Sequence, residues 1–353
     1  MAGKRLTRRR LLQGAAALAA TASVRPARAE NEPGAITPEL VTAARGEGKV
    51  AWYTSVDLPL AEKMARTFES KYPGIACRVE RSGAERNFQR IGQEFASGIR
   101  AVDVVNSSDA SHFIVWKRNG WLEAYVPEDV AKHYPPEHKD PDGFFATWRA
   151  FFSVIAYNTN LVKAQDAPKS FADLLDPKWA GKIVKAHPGY SGTILTATFE
   201  MSRDLGWGYF EKLAKQRVMQ VQSAADPPKK VGLGERAVSV DGAEYLVLQM
   251  KEANQPIEVV YPSEGAPLIT GPNAIFKNAP NPNAARLFQS WMFTLEAQQL
   301  MSEVGALRSL HPLVKEKAGR KPFSAIKAMK DDPVSVEAKS DEIKATYTRY
   351  FRV

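Results

Sequence analysis

Five short polar clusters hold the side chains of this 353-residue chain best suited to gripping a small molecule: Thr54-Ser55, Ser82-Gly83, Ser107-Ser108-Asp109, Ser191-Gly192-Thr193 and Asp241-Gly242. Hydroxyl and carboxylate oxygens beside small residues suit hydrogen bonding to an anionic or polyhydroxylated ligand. Asp226, Glu244 and Tyr245 add oxygens that could accept from ligand hydroxyls or an amine. A buried carboxylate needs such a partner, because an unpaired buried charge is costly. Arg81 and Arg86 flank the second cluster, where either could steer an anion. Each group also has an ordinary role. Ser, Thr and Asp cap helices, at about 1 kcal/mol apiece. Asp226-Pro227-Pro228 reads as a helix start, and Tyr245 could be a core aromatic on its helix.

The elements around these clusters give them a common place. Lys49–Thr54 reads as a strand, and Leu58–Tyr72 as a helix with Leu60, Met64, Phe68 and Tyr72 at four-residue spacing. A second strand (76–81), a helix (84–97), a third strand (102–106) and a helix through Trp116 follow. Strands and helices alternating through short turns predict a parallel sheet with helices on both faces. After a Pro- and His-containing connection over 127–143, one continuous apolar strand is expected over 151–157. A second α/β region then runs through strands near 182–184, 237–240 and 258–261, with a return strand at 273–276. Two helices follow, and the tail from about Leu310 is charged and poorly periodic. Every polar cluster thus lies after a strand and before a helix. In open parallel sheets ligands sit beyond the carboxyl ends of the strands, where helix amino-termini direct free N–H groups and partial positive charge.

Catalysis has weaker support. Gly189-Tyr190-Ser191-Gly192-Thr193 approaches a nucleophile elbow but has Thr193 where the last glycine belongs. A secreted serine hydrolase using Ser191 would need His311, the one histidine downstream. His112, His133, His138 and His311 show no metal-ligand spacing, and no phosphate loop or dinucleotide fingerprint is present. No enzyme activity, cofactor or metal is expected. Cys77, the single cysteine, sits in an apolar run and reads as an inert buried thiol.

Residues 1–29 combine a basic start with Arg8-Arg9-Arg10, a soft apolar run from Leu11 to Ala22, and Ala27-Arg28-Ala29 before Glu30. This is the pattern of a cleaved signal peptide of the twin-arginine type, too short for a membrane span. Seven of the 48 Lys and Arg residues and none of the 39 Asp and Glu residues lie there, leaving 41 basic against 39 acidic residues. The basic character therefore belongs largely to the leader, and no nucleic-acid partner is expected. The remaining length suits two domains.

Several strings resemble the extracellular solute-binding proteins of ABC importers, in the group that includes ferric-ion and phosphorylated-solute binders. They are Val50-Ala51-Trp52-Tyr53-Thr54-Ser55, Phe68-Glu69-Ser70-Lys71-Tyr72-Pro73-Gly74-Ile75, Ala156-Tyr157-Asn158-Thr159, the segment 170–182 with Asp176-Pro177-Lys178-Trp179, Tyr190-Ser191-Gly192-Thr193 and Val260-Tyr261-Pro262-Ser263-Glu264-Gly265. The resemblance runs from Lys49 to His311. It implies a two-lobed α/β fold of the type II periplasmic-binding class, each lobe a mostly parallel sheet, joined by crossing hinge strands. The lobes are expected at 30–156 with 273–310, and at 157–272 with 311–353. It further implies a solute trapped between them, an anionic group at the Ser191-Gly192-Thr193 helix start, a membrane permease as partner, the periplasm as location and a monomeric receptor. The resemblance also offers ferric iron as an alternative ligand, held by Glu244 and Tyr245. Ferric binders carry two adjacent tyrosines there and often a His in the first loop, where this chain has Glu244 and Ser55-Val56-Asp57.

Overall fold

The computed structural model describes residues 33–353, so the expected signal peptide lies outside the described residues. The first sheet grows from β1 (Lys49–Thr54), β2 (Ala76–Arg81) and β3 (Val104–Asn106), with β1 central and parallel to both neighbours. Around them lie α1 (Pro38–Glu47), α2 (Leu58–Lys71), α3 (Ala84–Ala96) and α4 (Ser111–Arg118). α2 starts where Asp57 accepts the Leu60 N–H and buries Leu60, Met64 and Phe68, the face its spacing predicts.

A short α5 (Glu128–His133) interrupts the proline-containing connection. The apolar stretch read as one strand is in fact two. β4 (Ala146–Phe152) belongs to the first sheet and β5 (Ile155–Asn158) to the second. At the break the Ser153 N–H turns to the Pro267 carbonyl and the Val154 N–H to that of Gly242, so the chain changes ladders without exposing backbone.

The second sheet contains β6 (Ile183–Ala186), β7 (Met219–Val221), β8 (Val238–Ser239) and β9 (Ile257–Val260) in the order β7-β6-β8-β5-β9. Its helices are α6 (Gly192–Leu205), α7 (Trp207–Ala214), α8 (Asp226–Gly232) and α9 (Glu244–Glu252). β6 runs parallel to β7 and β8, whereas the crossing strand β5 is antiparallel to β8 and β9. β10 (Ala266–Ile275) carries the chain back, antiparallel to β4 and β3. Both sheets are therefore mixed, their parallel strands augmented by antiparallel crossing strands. β10 joins the first sheet at Ala266, ahead of the return expected at 273, and its register shifts between Gly271 and Pro272.

Helices α10 (Pro282–Phe293) and α11 (Leu295–Gly305) complete the first half. The tail, expected to pack on the second lobe, adds β11 (Ala328–Met329) beside β10 and then a 19-residue helix, α12 (Pro333–Phe351). α12 touches α4 of the first half as well as α6 and α7 of the second. Only Val336, Ile343 and Tyr347 on it are buried, which is why its sequence reads as aperiodic.

Two aromatic cores hold the halves together internally. Trp52 meets Trp148 edge-on at 5.8 Å and Phe68 meets Phe288 at 4.9 Å; Phe171, Trp179, Phe210 and Tyr347 serve the second core. Each such edge-on pair contributes roughly 0.5–1.5 kcal/mol beyond its buried area. Cys77 is buried, and burial raises its thiol pKa, in keeping with an inert thiol.

Where β10 crosses, two acids share a covered site. Glu200 is fully buried, with one oxygen accepting the Leu268 N–H; Asp331 accepts the Thr270 hydroxyl. Burial, then the charge of Asp331, raises the Glu200 pKa well above its ordinary value, and burial lifts Asp331 to about 7. Both acids hold protons more tightly folded than unfolded. Their stabilisation is complete below the ordinary carboxylate range and is lost as pH rises through the folded values. Thermal unfolding is therefore expected to show Tm falling between pH 5 and 8, with Asp331→Asn flattening that slope; an unchanged slope in the variant would refute the assignment.

Candidate ligand-binding site

The carboxyl ends of β1, β2 and β3 face the starts of α6, α8 and α9 across a cleft of about 360 Å³. The first half contributes Ser55, Gly83, Ser108 and Arg149; the second contributes Ser191, Thr193, Ser223 and Tyr245. The winding of the chain makes this inevitable, since parallel strands deliver their ends, and the following helices their amino-termini, to one edge. α3 and α9 open on Gly83 and Ala243, which offer no side-chain acceptor, so their first-turn N–H groups lack that protein cap. α6 differs, because Ser191 caps it through the Ile194 N–H at 3.4 Å.

Arg149 dominates the electrostatics. It stands on β4, 1% exposed, and reaches the cleft wall. Its Nε donates to Asn106 Oδ1 at 3.0 Å and its guanidinium to Ser55 Oγ at 3.0 Å. Asn106 in turn donates to the Gly271 and Pro272 carbonyls of β10. Gly271 is required here, since a Cβ would stand 2.9 Å from Arg149 Cγ. Among the described residues no carboxylate pairs with this guanidinium. Burial lowers its pKa to about 10, against the opposing influence of Tyr245 and Asp57, so it remains a cation at neutral pH. Arg81 and Arg86 line the same cleft. Sequence reasoning missed Arg149, because it falls in the gap between the connection over 127–143 and the strand expected over 151–157, whereas β4 already starts at Ala146. The available clue was a lone cation in Ala146-Thr147-Trp148-Arg149-Ala150-Phe151, an otherwise nearly apolar β run.

Of the expected site residues, Ser55, Gly83, Ser108, Ser191, Thr193 and Tyr245 share the cleft. Tyr245 meets Phe151 edge-on at 5.3 Å, and burial, then the charge of Asp57, pushes its phenol up to about 12. The others lie outside the cleft lining. Thr54 turns inward and accepts the Val56 N–H. Ser82 stays outside the lining and gives its N–H to the Thr54 carbonyl. Ser107 contacts His112 Nδ1 at 3.1 Å, and Asp109 accepts from the Ser111 N–H and hydroxyl. Asp226 accepts the Ser223 N–H at the start of α8. Asp241 forms a buried ion pair with Lys185 at 2.5 Å; deleting either member would strand a charge at a cost of roughly 3–5 kcal/mol. Glu244 is buried against Arg308 at 2.6 Å, the Tyr261 hydroxyl at 2.5 Å and the Phe152 N–H at 3.1 Å. These carboxylates are committed to the protein. Gly192 plays a steric part: a Cβ there would stand 2.5 Å from Asp109 Cβ, so the two halves touch at this point.

The elbow reading of Ser191 fares poorly on geometry. His311 packs against His133 and Tyr134, with ring centroids 4.8 and 6.2 Å away, while Ser191 Oγ caps a helix. The expectation of no metal set among the histidines also changes, since the fold brings Asp129, His133 and His311 together.

Two α/β halves joined by crossing strands, with a polar cleft between them, define a type II periplasmic binding fold. The chain belongs to the family of bacterial extracellular solute-binding proteins, whose model matches residues 102–328. Among its curated relatives is a periplasmic protein of Salmonella typhimurium (strain LT2) whose name gives 2-aminoethylphosphonate as its proposed ligand. It is 27% identical over 67% of this chain and 69% of that protein. The periplasmic binding protein AfuA of Actinobacillus pleuropneumoniae, solved with exogenous fructose-6-phosphate bound, superposes with a TM-score of 0.78 at 23% identity, covering 87% of this chain and 99% of AfuA. Iron-bound HitA of Pseudomonas aeruginosa gives 0.73 at 22% identity over 86% and 99%.

Proposed function

We propose that the protein is a monomeric periplasmic receptor for a small phosphorylated or phosphonate solute, which it hands to a membrane permease without chemical change. The observation that carries this reading is Arg149, a buried cation at the cleft with only neutral hydrogen-bond partners. A buried charge without a counter-charge is unfavourable until an anion arrives. Arg81 and Arg86, the hydroxyls of Ser108 and Thr193, and the first turns of α3 and α9 supply further donors. The phosphate or phosphonate ligands named for AfuA and the Salmonella relative agree with that donor set. In this reading the lobes pivot at Ser153-Val154 and along β10, and residues 1–29 direct export through the twin-arginine route.

Ferric iron is the lesser reading. It needs several anionic oxygens, and the cleft offers three arginines, a phenol pushed up to about 12 and a distracted carboxylate. That carboxylate, Glu85, lies near His112 and Lys344; burial opposes its ionisation, but their hydrogen bond and charge hold its pKa at about 2. A thermal-shift panel tests the choice. Sugar phosphates or phosphonates should raise Tm with concentration, while neutral sugars and ferric citrate leave it unmoved. A red tyrosinate-to-iron colour on ferric addition would reinstate iron.

A further inference from the structure

Away from the residues that line the cleft, Asp129, His133 and His311 each present one donor atom within 4.8 Å of the other two. Asp129 and His133 are one helical turn apart on α5, so they share a face, with Asp129 Oδ1 3.8 Å from His133 Nε2. His311 arrives from the segment after α11 and is 3% exposed. Its Nδ1 takes a long contact of 3.3 Å from the Leu313 N–H, while its Nε2 is buried with no hydrogen-bond partner. Buried polar atoms are nearly always satisfied, and this unpartnered nitrogen lies beside a second imidazole and a carboxylate.

We propose that Asp129, His133 and His311 bind a divalent transition-metal ion of the zinc class. Two imidazoles and one carboxylate are a donor set that zinc accepts, leaving a fourth position for water. Donors around zinc stand roughly 3.3 Å apart, given its bond lengths of about 2.0–2.2 Å. The cluster must therefore contract, which the partly exposed side chains of Asp129 and His133 permit. Coordination at His311 Nε2 places the ring proton on Nδ1 and gives up the long Leu313 contact. The bound ion would tie α5 to the segment carrying Arg308, which pairs with Ala150 of β4 and grips Glu244 of α9. The metal would then brace the hinge region rather than take part in solute capture.

The test uses untagged, chelator-treated protein, titrated with zinc chloride by calorimetry and followed by thermal unfolding, with magnesium chloride as control. One zinc per chain should bind and raise Tm with the logarithm of its concentration once above the dissociation constant, while magnesium does neither. His133→Gln and Asp129→Asn alter partly exposed groups and should leave the metal-free Tm in place while weakening zinc binding at least tenfold. His311→Ala should abolish it, although the buried position makes the His133 variant decisive if folding suffers. Absence of zinc binding, or equal zinc binding by His133→Gln, overturns the proposal.

Discussion

Replacing Arg149 with Met is expected to weaken binding of the proposed phosphorylated or phosphonate solute by about 30-fold or more, without lowering the Tm of the unliganded protein. Removing one member of a buried, hydrogen-bonded charge pair costs roughly 2–5 kcal/mol, and each 1.4 kcal/mol is about tenfold in affinity. The unliganded protein behaves differently because, among the described residues, its guanidinium is hydrogen-bonded only to the neutral Asn106 and Ser55 and forms no ion pair. Met occupies much of the same volume and ends the desolvation of a cation, which offsets the lost contacts to Asn106 and Ser55. Arg149→Lys should fall between the two, keeping the charge but losing the planar fork that reaches both partners. Calorimetry with a solute identified in the thermal-shift panel supplies the affinities. A variant that binds as well as the parent would remove the cation from the site.

The second large effect is expected at Gly192. Its φ is unexceptional, so alanine is tolerated by the backbone and should favour the helix by roughly 0.5–1 kcal/mol. The added methyl would nevertheless meet Asp109 at 2.5 Å and Ala84 at 3.3 Å across the cleft. Gly192→Leu should therefore hold the halves apart. Solute affinity should drop at least tenfold, and the compaction on solute addition seen by small-angle scattering should disappear, while Tm without solute is maintained. Loss of stability with normal compaction would mean that the glycine serves only the local packing of α6.

The sequence made much of the first half legible because its signals are local. β1, α2, β2 and α3 are bounded by short turns, with Asp57 capping α2, and the buried faces of the two helices repeat within single elements. Ser55, Ser108 and Ser191 could be assigned to strand ends from the same local pattern, and the fold gathers them in one cleft. What escaped depends on distant partners. Glu244 looked like a ligand because its counter-charge, Arg308, is 64 residues away. Asp241 looked free because Lys185 is 56 residues away. The break at Ser153-Val154 was invisible because a single small serine interrupts an otherwise apolar run, and the exchange of backbone partners marks it. Arg149 was the costliest omission, since the strand that carries it was expected to begin two residues later.

The placement of α12 has a mechanical corollary. Glu337 meets Arg118 of α4 at 2.8 Å and Lys344 lies 3.7 Å from Glu85 of α3, while the rest of the helix rides on α6 and α7. It is thus a soft latch between the halves. The more exposed of these pairs, Arg118–Glu337, is of the surface kind, worth at most about 1 kcal/mol. On the proposed reading, an empty receptor would gape and reseat itself readily, and the grip that keeps it shut would come from its cargo.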